Sequence, residues 1–172
     1  MCYFLRIASP LTLSEIRSML PAGITADPLP STELAGARML LPSAQTVAHL
    51  RVGVCSCDLI RPRLPNSRDD ERHLRARYKA LGLPRERIVR ELERHRRSSP
   101  GVLEPEGGWR AALAAFVAEH ARNAGPTLFR LSFHPGPDHQ ATESAPVRRT
   151  VPEIRARPEH WLEEGRSTLV SR

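Results

Sequence analysis

Between Trp109 and Asn123 the residues Trp109, Leu113, Phe116 and Val117 fall on one helical stripe, with His120 at its edge, in an alanine-rich background. Gly125-Pro126 stops that helix, and the next eight residues, Thr127–His134 (TLFRLSFH), change period at once. Phe129, Leu131 and Phe133 then share one face of a strand, with Arg130, Ser132 and His134 on the other. A chain that passes from a period of 3.6 to a period of 2 across one proline has to combine helix and sheet.

The remaining segments extend this pattern. Residues 2–8 (CYFLRIA) read as a short buried strand, and Thr12–Leu20 as a helix with Leu13, Ile16 and Leu20 on one face, ended by Pro21 and Gly23. Residues 24–46, with Pro28, Pro30 and Pro42, read as loop with a short strand at Arg38–Leu41. Residues 47–54 alternate cleanly, Leu50, Val52 and Val54 against His49, Arg51 and Gly53; continued, the strand adds Cys55 and Cys57 to the polar face. Two helices follow, Asp69–Leu81 with Leu74, Tyr78 and Leu81 inward, and Pro84–Arg97 with Ile88, Val89 and Leu92 inward, around a Gly82-Leu83-Pro84 corner. Residues 141–151 can run back as an edge strand, since Pro146 disfavours a central place. Thr150-x-x-Glu153 fits a capping box, Pro158 kinks or restarts the helix it opens, and residues 167–171 make a final strand.

The expectation is an α+β fold: one compact domain over residues 1–172, a mixed sheet of four to five strands and about five helices, including a basic helical hairpin. Strands at both ends of the chain tie the termini into one sheet and weigh against two domains. Residues 61–108 can also be read as a helical insertion.

Charge and cysteine narrow the function classes. Net charge is +7, and residues 61–97 hold 13 basic and six acidic side chains, so any polyanion is expected there. All but one of the 26 basic residues are arginine, Lys79 being the exception, which looks like coding bias as much as selection for phosphate contacts. Three cysteines, Cys2, Cys55 and Cys57, with no secretory signal, fit reduced thiols and a cytoplasmic protein rather than a disulfide framework. No apolar run reaches the ~18 residues of a membrane span, so no membrane partner is expected. There is no phosphate loop, dinucleotide fingerprint, zinc-protease helix or nucleophile elbow.

Three features carry chemistry. Cys55-Ser56-Cys57 on an extended segment puts two sulfurs on one side, where they can react in sequence as catalytic thiols or share a soft metal, zinc or copper(I). His134 is the expected third ligand, with Cys2, Asp138 and His139 as further donors if their strands neighbour one another; the alternative is two small residues packed at a strand end. Cys2 is the second feature. With the initiator removed, its own amine can serve as the base. The Met-Cys opening resembles that of two groups, the amidotransferases with an N-terminal glutaminase domain and the proteins that trap abasic sites in DNA, although Tyr3 replaces their usual glycine. The third feature is ALGLPRERIVREL, which resembles a helix-turn-helix corner. On that reading Arg85, Arg87, Arg90 and Arg94 face nucleic acid or an acidic protein. Tyr78, Glu91 and the interleaved glutamates depart from the motif and fit a plain helical hairpin, with Glu86–Arg90 and Glu93–Arg97 paired at i,i+4.

Overall fold

The computed structural model describes residues 2–53, 55–60, 67–97, 104–134 and 145–172. Six strands form one mixed sheet: β1 (Cys2–Ser9), β2 (Ile24–Pro28), β3 (Thr46–Val52), β4 (Thr127–His134), β5 (Val147–Thr150) and β6 (Ser167–Ser171). Their order is β2-β3-β1-β4-β6-β5, so the strand that opens the chain lies mid-sheet beside β4. Every pairing is antiparallel except that of β5 with β6. Seven helices accompany the sheet among the described residues: α1 (Leu13–Met19), α2 (Ser31–Leu40), α3 (Cys57–Ile60), α4 (Ser67–Ala80), α5 (Arg85–Arg97), α6 (Gly108–Ala124) and α7 (Val151–Ala156). The α+β expectation holds, with more elements than the four to five strands and five helices anticipated.

Alternation divides the sheet into two faces. On the first, Leu5 and Ile7 of β1, Leu50 and Val52 of β3 and Phe129 of β4 meet Trp109, Leu113, Phe116 and Val117 of α6 in the main core. Trp161 closes it edge-on against Phe129, with ring centroids 5.1 Å apart. On the second face, Ala8, Val47, Leu128 and Leu169 pack under Leu34, Ala37 and Leu40 of α2. That helix covers the end of the face near Ala8. Arg6 lies further along it, and an Arg6–Glu33 pair at 3.2 Å joins the two regions.

The extra elements come from the proline-rich stretch at 24–46, which is not a loop. Pro28 ends β2, an edge strand where a missing N–H costs no ladder bond, and Pro30 is the N-cap of α2, a helix-start position whose N–H needs no intrahelical partner. Arg38–Leu41 is therefore the end of a helix, not a strand. β3 also stops earlier than its alternation suggests. Gly53 takes φ 62°, the chain turns, and Cys57 begins the four-residue α3 instead of extending the polar face. The edge strand at 141–151 shortens to Val147–Thr150, pairing with β6; residues 141–144 lie outside the described residues. The Thr150 capping box opens α7 as expected, but α7 ends at Ala156 and Pro158 does not restart it.

The hairpin of α4 and α5 has a small core of its own, Leu74 and Tyr78 against Ile88 and Leu92. Its corner is a Schellman turn: Gly82 at φ 72° donates to the Lys79 carbonyl at 2.9 Å, and Leu83 to that of Tyr78 at 3.1 Å. Leu81 and Val89, expected inward, are 49% and 44% exposed, because the turn closes around Leu83 and α5 rolls Ile88 and Leu92 inward instead. Arg77 joins the hairpin to the sheet. Its guanidinium stacks 4.0 Å from the Phe133 ring, donates to the Tyr3 hydroxyl at 3.0 Å and pairs with Glu164.

Candidate functional site

The sheet order brings together the strand ends that carry the cysteines and His134, because β1 is flanked by β3 and β4. Cys55 and Cys57 are buried and packed with Tyr3 and Leu131, whose side chains belong to the first face. Cys2 and His134 are register partners at the ends of β1 and β4; their side chains lie outside the described residues.

The Cys55-Ser56-Cys57 turn continues the ladder of β1 where β3 bends away. Cys55 bridges Val52, Ser56 N–H donates to the Tyr3 carbonyl at 3.0 Å, and Tyr3 N–H donates to the Cys57 Sγ at 3.4 Å. The Ser56 hydroxyl accepts from Leu5 N–H at 2.8 Å and donates to the Leu50 carbonyl at 2.5 Å, standing between two residues that are themselves a register pair. Its one proton is thus committed to Leu50. His49 Nε2, 3.0 Å away, is left to donate to the serine oxygen, the reverse of a base activating a nucleophile. Among the described residues no group of three or more His, Cys, Asp or Glu side chains stands close enough to hold a metal ion. His139 and Asp138, named as further donors, lie outside the described residues.

The second face is the more polar one. Register runs Asp27, His49, Arg6 and Arg130 in one row across β2, β3, β1 and β4, with Phe4 opposite Ser132 in the next row and Cys2 opposite His134 in the row after. Phe4 lies against the His49 ring at 5.0 Å. Arg51 donates to the Gly53 carbonyl and to the Asp27 carboxylate, and its hydrogen bond to Asp27 is what chiefly holds that carboxyl below its usual range. Ser132 is 8% exposed, and its hydroxyl has no hydrogen-bond partner. A buried orphan hydroxyl costs free energy unless something meets it.

His120 is a third polar centre, deep under the first face and fully buried. Its Nε2 lies 3.0 Å from the Ser9 hydroxyl and its Nδ1 3.0 Å from that of Thr127. Thr127 donates its own proton to the Gly125 carbonyl at 3.2 Å, so it accepts from Nδ1–H. Nε2 is then the acceptor for Ser9, whose oxygen takes the Leu11 N–H at 2.9 Å. Every site on the ring is satisfied in the neutral form, and desolvation pushes its pKa down to about 4. This is a structural clasp between β1, α6 and β4.

Arg85, Arg87 and Arg90 are exposed on α5, and so are Glu86 and Glu93. Arg94 lies on the same helix; its side chain is outside the described residues. Reading the sequence alone passed over Arg6, His49, Arg130 and Ser132. The available signal was an arginine at the middle of each of two strongly apolar strands, CYFLRIA and TLFRLSFH. Comparison with models of known protein families, with curated proteins and with solved structures found no match.

Proposed function

We propose that the protein carries a nucleophilic thiol at Cys2, with His134 as its proton acceptor, acting on an acyl carbon. The observation that carries this reading is the register of β1 on β4, which sets Cys2 directly opposite His134. Opposed residues of an antiparallel pair have Cβ atoms about 4.5–5.5 Å apart, within reach of a thiol–imidazole pair. A neighbouring imidazole lowers a thiol's pKa and raises its thiolate fraction. In the step proposed, the thiol proton passes to the imidazole and sulfur forms a bond to the acyl carbon. The leaving group departs with that proton. Water then cleaves the thioester, releasing the acid and returning a proton to sulfur.

The test is the rate of Cys2 alkylation by iodoacetamide against pH, read on the Cys2 peptide by mass spectrometry. The expected profile has its midpoint below the ~8.5 of a free cysteine and moves upward in His134→Ala. A profile equal to that of the urea-unfolded chain, unmoved by His134→Ala, would refute the reading. The metal form of the thiol expectation places zinc or copper(I) on Cys55 and Cys57 and needs at least one more donor. Near-stoichiometric metal in wild type, lost in Cys55→Ser/Cys57→Ser, would support it.

A second reading rests on a different observation, the exposure of Arg85, Arg87 and Arg90 along one helix of a hairpin anchored to the sheet by Arg77. It makes the hairpin a binding surface for nucleic acid or an acidic protein. The glutamates between the arginines favour the thiol reading over it.

A further inference from the structure

We propose that the α4–α5 hairpin is a lid over the Cys55 and Cys57 thiols, latched by Arg77 and opening while the sheet stays folded. The hairpin is built as a unit of its own. Among the described residues its core is Leu74, Tyr78, Ile88 and Leu92, with Leu83 and Phe133 at the margin, and Phe133 is the one member that the sheet supplies. That is a small core for helices of 14 and 13 residues, because ordering each residue costs backbone entropy that burial has to offset. Units of this kind open at a lower free energy than the whole fold.

Arg77 fastens the hairpin to the sheet at the place where the thiols are packed. Its guanidinium lies 4.0 Å from the Phe133 ring centroid and 5.5 Å from that of Tyr3, donates to the Tyr3 hydroxyl at 3.0 Å and pairs with Glu164. Tyr78 adds a stacked contact, its ring centroid 6.2 Å from that of Phe133. Each of these partners borders the thiol cluster. Tyr3 and Leu131 pack with Cys55 and Cys57, and Phe133 lies against the same group. Tyr3 N–H also donates to the Cys57 Sγ at 3.4 Å, Tyr3 and Phe133 meet edge-on at 4.9 Å, and Glu164 forms a bridge with Leu131. Cys55 and Cys57 are 5% and 6% exposed, so a reagent in solution reaches sulfur only through an opening. Releasing Arg77 strips the outer layer from Tyr3 and Phe133 and clears that path. The lid thus controls when the pair meets an electrophile or a soft metal ion, and it does not depend on the Cys2 reading.

Iodoacetamide labelling, read by mass spectrometry on the peptide that carries both cysteines, measures the opening, since only opened molecules react. Hydrogen exchange at the Leu5 and Phe129 amides, on central strands, gives the limit set by global unfolding. In wild type, labelling should run well ahead of that limit and rise more gently with urea than global unfolding does, because opening exposes less surface. Arg77→Ala should speed labelling about tenfold, the equivalent of 1.4 kcal/mol in the opening equilibrium, with exchange at Leu5 and Phe129 unmoved. Glu164→Gln, at an exposed position, should speed it about threefold. Labelling that tracks Leu5 and Phe129 exchange in wild type and both variants would overturn the proposal, because the thiols then open only with the sheet. Fast labelling unmoved by either variant would also overturn it and put the opening at the Gly53 turn. Should Arg77→Ala fail to fold, the urea dependence of wild type and the Glu164→Gln rate decide the matter.

Discussion

Acid should loosen this fold through one residue. His120 is neutral in the folded protein, with a pKa near 4 caused by desolvation, against 6.5 for the exposed side chain. Between those values the unfolded chain binds a proton that the folded chain refuses. Stability is therefore complete above pH 6.5, falls as pH drops toward 4, and levels off below it. At about 1.4 kcal/mol per pH unit, the gap of two to three units corresponds to roughly 3 kcal/mol. This is a large share of the ~5–15 kcal/mol that holds an ordinary domain together. Urea unfolding followed by fluorescence of Trp109 and Trp161, both buried, reads it directly. The comparison is wild type against His120→Gln at pH 7.5, 6.5, 5.5 and 4.5, since carboxylates and other histidines cancel in the difference. The wild-type advantage should shrink by roughly 2–3 kcal/mol across the series. A difference that stays flat would refute the reasoning, as would nuclear magnetic resonance showing the Nε2–H tautomer where the Ser9 and Thr127 bonds require Nδ1–H. The tautomer measurement needs only wild type, so it holds even if the glutamine variant fails to fold.

Two other outcomes follow from the same kind of accounting. Ser56→Ala strands the Leu5 N–H and the Leu50 carbonyl inside the sheet, and at ~1–3 kcal/mol for each unmet group it should cost about 2–6 kcal/mol in the urea assay; a loss under ~0.5 kcal/mol would show that β1 and β3 simply close on each other. For the second reading of function, Arg87→Glu/Arg90→Glu should abolish any binding to a fluorescent DNA or RNA duplex, and wild-type affinity should fall steeply between 50 and 200 mM salt; affinity unchanged by either would exclude nucleic acid from the hairpin.

What could be read from the sequence was whatever depends on neighbours along the chain. The stripe of α6, the alternation of β4, the Gly82 corner and the Thr150 capping box all follow from local periodicity and local hydrogen bonding, and all are present. Proline misled where its meaning depended on place. Pro28 and Pro30 looked like loop residues because sequence does not reveal that one ends an edge strand and the other caps a helix. The cysteines show the same divide. Spacing alone made Cys55 and Cys57 the conspicuous pair, yet a positive φ at Gly53 turns them into the packed first face.

Strand order and register belong to the tertiary structure, because they are set by which apolar faces α6 and α2 can cover together. That arrangement puts β1 between β3 and β4, Cys2 opposite His134 and Arg6 opposite Arg130. These residues are over 120 positions apart in the chain, and no local rule relates them. The sequence determined that there would be strands with an arginine at their centres; only the sheet decided that Arg6 would stand opposite Arg130, and Cys2 opposite His134, in register.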